Sequence, residues 1–341
     1  MSIDYKPWGN IDWILNRLPN LCEWDYIGCI STEERSLSAW QWLKQQKKLH
    51  NSKMWKINAP KNVTSPYTEI AAKEYKKQIE KFVASGGHEY VEFDLFESDA
   101  TASQQLDALL DITNGNMIID ITSMPKRWFF PLIRDCLSDN RVSNLLVLYS
   151  MAKFYSKIQG EDSMSWRYLP SFGELSEREK VEKYFVISAG YQPLSLPDWI
   201  SNYENPKVHV LFPFPASVNG YTRVWDFIRT IESDGTQISK DCIKYVSGFD
   251  LPEIYKCISE IIKLDNKREP IFMPYGPKPT SLAFAIIASQ MCFPIGYTQP
   301  MYYNPYYSRG IEMYNEETPK TTSYLLKAEG NQLYVPPPIN F

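Results

Sequence analysis

Histidine is nearly absent from this chain. His50, His88 and His209 stand isolated along 341 positions, with neither His-x-x-x-His nor His-Glu-x-x-His spacing, which removes the usual imidazole route to a metal centre. The six cysteines are scattered and include no Cys-x-x-Cys pair. Neither a metal site nor a disulfide framework is therefore expected, and reduced core thiols are the default. No run approaches the ~20 apolar residues of a membrane-spanning helix, and the start Met1-Ser-Ile-Asp-Tyr-Lys6 lacks the basic-then-apolar pattern of a secretory signal. The expectation is a cytoplasmic protein with no membrane partner. A net charge of −4 leaves out the basic footprint of a general nucleic-acid binder. Also missing are a phosphate-binding P-loop, a Gly-x-Gly-x-x-Gly turn after the first strand and a Gly-x-Ser-x-Gly elbow. No cofactor is expected, and no residue is assignable as catalytic.

What is present is ordinary globular material, 44% hydrophobic and 22% charged, with 23 Tyr and 10 Trp. Those aromatics are read first as core packing and only second as stacking surfaces for bases. The length suits two α/β domains. Apolar strands at residues 24–31, 53–58, 88–96, 117–121 and 143–150 alternate with helices, the third of them capped by Thr101 or Ser103. An amphipathic segment, Ile11 to Leu18, precedes them and is expected to pack on the first domain. After an irregular stretch (151–180) the alternation restarts with strands at 183–188, 208–212, 242–246, 271–273 and 293–299, and closes on a hairpin-like 324–335. The fold class predicted is α/β, as two tandem Rossmann-like parallel-sheet halves, residues 1–160 and 175–341.

The organising stretch is Asn116 to Arg134. Met117 to Ile121 reads as a short buried strand carrying one acid, Asp120. Thr122 and Ser123 follow as candidate caps, Pro125 opens a helix, and Lys126 and Arg127 add two cations at its positive end. An acid, hydroxyls and a basic helix start at a strand end form a plausible cradle for an anion. In parallel sheets ligands sit at the carboxyl ends of strands, and the turn Thr32-Glu-Glu-Arg-Ser36 falls on that same edge. Thr32, Glu34 and Arg35 are therefore candidates too, although Thr32 is also a good N-cap and the acids favour a helix start by themselves. The second half repeats the pattern. Tyr275-Gly-Pro-Lys-Pro279 again places Pro-Lys at a helix entrance after an apolar strand, which suggests a duplication. There Gly276 would let backbone approach a ligand and Lys278 would supply charge.

The turn Asp120-Ile-Thr-Ser-Met-Pro-Lys126 resembles the Asp-(Ile/Leu)-Thr-Gly-Gly-Thr-Lys turn of CARF domains, with Ser123 and Met124 where that family has glycines. The doubled layout also looks like SAVED domains, which are fused CARF-like pairs. The resemblance implies a Rossmann-like sensor of nucleotide-type ligands in prokaryotic antiviral systems, with Asp120, Thr122 and Lys126 lining its site. No appended effector is visible, so it further implies a separate protein partner, encoded nearby.

The expected function is binding of a nucleotide-type anionic ligand in the cleft at the strand C-terminal ends, as a sensor or regulatory subunit of a bacterial antiviral defence system. Two alternatives stay open. One is a nucleotide-processing hydrolase or glycosyl transferase using carboxylates such as Glu33, Glu34, Asp120 or Asp250. The other is a protein-interaction subunit of a defence complex, using the Tyr/Pro-rich stretch 299–308.

Overall fold

The computed structural model describes residues 6–18, 23–60, 63–156, 166–172, 182–190, 196, 200, 202–203, 206–214, 218–233 and 235–336. In chain order the first elements are β1 (Trp8–Asn10), α1 (Ile11–Leu15), β2 (Trp24–Ile30), α2 (Ser38–Gln45), β3 (Leu49–Asn58), α3 (Thr68–Ala84) and β4 (Tyr90–Asp94). Then come α4 (Asp99–Leu110), β5 (Asn116–Asp120), α5 (Lys126–Ser138), β6 (Asn144–Ser150) and β7 (Ala152–Tyr155). The middle of the chain holds β8 (Arg167–Tyr168), β9 (Lys183–Ser188), β10 (Lys207–Phe214), α6 (Val218–Ser233) and β11 (Ile243–Ser247), followed by α7 (Leu251–Leu264), β12 (Glu269–Pro274), α8 (Lys278–Met291) and β13 (Gly296–Tyr297). Last are β14 (Ser308–Ile311), β15 (Thr321–Ala328) and β16 (Asn331–Gln332).

These elements form two compact units. The first takes Met1–Asp162 with Pro300–Tyr334, and the second Ser163–Gln299 with Val335–Phe341. The main sheet of the first unit runs β1-β15-β6-β5-β2-β3-β4, with β16 paired to β15. Its strands from β6 to β4 are mutually parallel, while β15 lies antiparallel to both β6 and β1. The chain thus leaves the central strand β2 in one direction through β3 and β4, then returns to the other side through β5 and β6. The reversal point lies between β2 and β5. Helices cover both faces, which is why every residue of β2 and β6 is buried. On one face Trp24, Tyr26 and Ile118 pack with Trp40 and Phe82 from α2 and α3. On the other Trp55, Phe93 and Trp128 stack edge and face at 5.0–6.3 Å.

In the second unit the order is β11-β10-β9-β12, all parallel, and Ile295 extends it by a parallel bridge to Phe272. The central strand is again the first, two strands follow on one side, and the fourth and fifth lie on the other. Both halves therefore carry the Rossmann-like parallel sheet that the alternating pattern predicts, and their strand orders match.

Several local expectations differ from the structure. The hairpin of β15 and β16 completes the first unit rather than the second, because β15 pairs with β6 and β1. Strand β3 begins at Leu49, four residues before its apolar core. Ser98, not Thr101 or Ser103, caps α4, its side chain accepting from Ala100 N at 3.3 Å. Among the described residues no helix is long and apolar enough to cross a membrane.

At the amino edge of the second sheet His209 is buried, with Nε2 2.7 Å from Asp265 and, among the described residues, no partner for Nδ1. A second proton would bury an N–H without an acceptor. Burial accordingly lowers the pKa of His209 below its usual 6.5, against the pull of Asp265. Because the folded pKa is the lower one, the unfolded chain binds the extra proton first as acid is added. Stability is expected to fall from about pH 6.5 downward and to level off below the folded pKa. Urea unfolding from neutrality to about pH 5 should show this loss, and His209→Gln should flatten that part of the profile. An unchanged slope in His209→Gln would assign the loss elsewhere.

Candidate functional site

The carboxyl ends of β2 and β5 stand side by side at the reversal point of the first sheet, where open α/β sheets leave a crevice. Asp120 closes β5 and is 2% exposed. Its Oδ1 accepts from the Thr122 backbone N–H at 2.8 Å and its Oδ2 from the Tyr26 hydroxyl at 2.7 Å. Tyr26 can reach it only because the ring lies across Gly28, where a Cβ would sit 2.6 Å from ring and hydroxyl atoms. Burial, with Asp120 beside it, pushes the Tyr26 phenol well above its ordinary range and keeps it a donor.

The hydroxyls of the turn bind the sheet, not the helix. Thr122 Oγ1 accepts from Ser150 N at 2.8 Å, and Ser123 Oγ donates to Cys29 O at 3.0 Å. Pro125 itself is the residue before the first helical turn, and α5 has no side-chain cap there. The predicted capping by Thr122 or Ser123 is thus replaced by turn-to-strand bonds, which pin β2, β5 and β6 together at their ends. Lys126 and Arg127 also differ from the exposed cations that a helix start suggests. Lys126 is 9% exposed. Arg127 donates to Glu97 O at 3.0 Å and lies 3.4 Å from Asp99, holding the connection between β4 and α4.

On the β2 side Arg35 is buried. Its Nε meets Glu33 at 2.7 Å, and Nη1 donates to Ser150 O at 2.8 Å and to Tyr149 and Tyr155 hydroxyls at 3.3 Å. Burial works against the guanidinium charge, but Glu33 and the two phenols outweigh it and hold the pKa above the ordinary value. Ser150 therefore joins the two turns, its carbonyl serving Arg35 and its N–H serving Thr122. Glu33 is bonded also to Ser308, and Glu34 accepts from Gly310 N at 2.9 Å, so β14 closes over this corner. Thr32 is half-buried in the bend after β2. The short helical turn beside it takes Glu33 as its cap residue, without a side-chain bond.

In the second unit the corresponding turn holds Tyr275, Gly276 and Lys278. Tyr275 is 2% exposed, shares a hydrogen bond with Thr298 at 3.0 Å and stacks on Tyr297 at 5.6 Å, so its ring belongs to the core. Gly276 leaves room for Ser188, whose Oγ would be 1.8 Å from a Cβ there. Lys278 is the first residue of α8 and half-buried.

The structure brings Thr32, Glu34, Arg35, Asp120, Thr122, Ser123 and Lys126 to one sheet edge and sends Arg127 toward α4. Glu33, Tyr149, Tyr155 and Ser308 complete the corner; the sequence offered Glu33 only as a carboxylate of the enzyme alternative and Ser308 only within the interaction stretch 299–308. Tyr149, Tyr155 and Ser308 sit in short strands, and the Arg35–Glu33 turn that they meet lies more than a hundred residues away in the sequence. Among the described residues no group of three or more His, Cys, Asp or Glu is placed to hold a metal ion. No protein-family model matches the chain, and no curated protein matches it.

Proposed function

We propose that the chain binds a nucleotide-type anion at the reversal point of the first sheet and acts as a sensor or regulatory subunit of a bacterial antiviral defence system, through a separate protein partner. The observation that carries this reading is the position of the Asp120–Lys126 turn. It occupies the strand end where such sheets take ligands, under the positive end of a 13-residue helix without a side-chain cap. Binding is favoured over acid–base chemistry because the candidate carboxylates of each unit have structural partners. Asp120 serves Tyr26 and Thr122, and Glu33 serves Arg35 and Ser308. Asp250 caps α7 through Glu253 N at 2.9 Å.

Incubating the full chain with a panel of nucleoside mono-, di- and triphosphates and cyclic oligonucleotides, while following thermal shift and product formation together, tests the reading. A raised melting temperature with every ligand recovered intact is expected. Turnover would make the chain an enzyme, and neither shift nor turnover across the panel would remove the nucleotide reading.

A further inference from the structure

The turns after β5 and β12 are equivalent in the two halves, and both enter their helices on Pro-Lys. Pro125 and Pro277 have nearly the same backbone angles, −57°/148° and −55°/154°, and neither α5 nor α8 has a side-chain cap. Their surroundings have diverged. In the first unit the turn hydroxyls are engaged with the sheet, as described above. In the second, Ser188 ends β9 and Thr280 lies in the first turn of α8; both are 0% exposed, and neither hydroxyl has a hydrogen-bond partner among the described residues. A buried hydroxyl without a partner is costly, and native structures rarely keep one without something to meet it.

The backbone around these hydroxyls is built for close approach. A Cβ on Gly276 would meet Ser188 Oγ at 1.8 Å and Ala189 O at 3.1 Å, and one on Gly190 would meet Tyr275 O at 2.6 Å. Neither glycine can carry a side chain, so the ends of β9 and β12 lock together at the reversal point of this sheet. Ser188 is aimed at the turn that enters α8, a 14-residue helix whose first residue is Lys278. Helix end and lysine together set a positive potential there, which selects an anion over a cation.

We propose that this turn binds a tetrahedral oxyanion of the phosphate class, with the Ser188 and Thr280 hydroxyls donating to it and α8 and Lys278 supplying the charge. The site is separate from the one in the first unit and does not depend on it. The same group can arrive as inorganic phosphate or as the phosphoryl end of a nucleotide.

Calorimetric titration of the full chain with inorganic phosphate, and in parallel with AMP, distinguishes the sources. Wild type is expected to bind at least one of them. Ser188→Ala/Thr280→Val should weaken that binding about tenfold or more, since each lost bond is to a charged acceptor. Lys256→Gln, an exposed charge change on α7, should leave it unchanged. Ser188→Ala alone, which removes the hydroxyl with little change in side-chain volume, gives the same reading by an intermediate loss should the double variant melt early. Phosphate binding shows a site for the free ion, whereas AMP binding alone shows one for a nucleotide. The proposal is overturned if wild type takes up neither probe at millimolar concentration, or if the double variant binds as wild type does. Loss of binding in Lys126→Gln alone would place the anion in the first unit, leaving the sensor reading standing and this one not.

Discussion

Asp120→Ala is expected to lower the free energy of unfolding by about 3–5 kcal/mol. The carboxylate is buried and holds two donors, the Tyr26 hydroxyl at 2.7 Å and the Thr122 N–H at 2.8 Å. Removing it leaves a fully buried phenol with no acceptor and releases the turn that carries the candidate site. Asp120→Asn keeps one acceptor and should lose less, about 1–2 kcal/mol. Urea titrations of both variants, analysed for midpoint and slope, measure the difference. A loss below about 1 kcal/mol in Asp120→Ala would mean that apolar packing, not this bond pair, fixes the strand end.

Arg35→Met should cost about 2–3 kcal/mol, because it removes a buried guanidinium and leaves its half-buried partner without a cation. Glu33 would then lose its cation, and the Ser150 carbonyl its donor. Arg35→Lys keeps the charge but cannot span Glu33, Ser150 and the two tyrosines with one ammonium, so it should recover only part of the loss. Because Glu33 and Glu34 also bind β14, limited proteolysis of Arg35→Met should open first around residues 300–320. Equal stability and an unchanged cleavage pattern would show that β14 is held without this corner.

Much of this architecture is legible in the sequence, for a physical reason. A parallel strand covered on both faces must be continuously apolar, and β2, β5, β6, β9 and β12 all read that way. The repeated Pro-Lys at two helix entrances likewise anticipates the shared strand order of the halves. What is not legible is pairing over distance. The alternation in β15 says that it is a strand, but nothing local says that its neighbours are β6 and β1. The same limit applies to Arg35, whose partners Ser150 and Tyr155 lie 115 and 120 residues away. Lys126 and Arg127 look solvated because helix starts usually are. Here Lys126 is buried, and Arg127 is taken up by Glu97 and Asp99 in the loop after β4. Ser188 and Thr280 carried no signal at all, since a serine ending a strand is common and only the structure shows its hydroxyl without a partner.

The proposed seat of the nucleotide-type anion is the turn between Asp120 and Lys126. It is tested most directly by equilibrium binding of the tightest nucleotide from the panel to wild type and to Lys126→Gln, with the melting temperature of each recorded alongside. A folded variant with an affinity about tenfold or more below wild type is expected, the loss of one charge-assisted contact. A folded Lys126→Gln that binds the same nucleotide as tightly as wild type would contradict it.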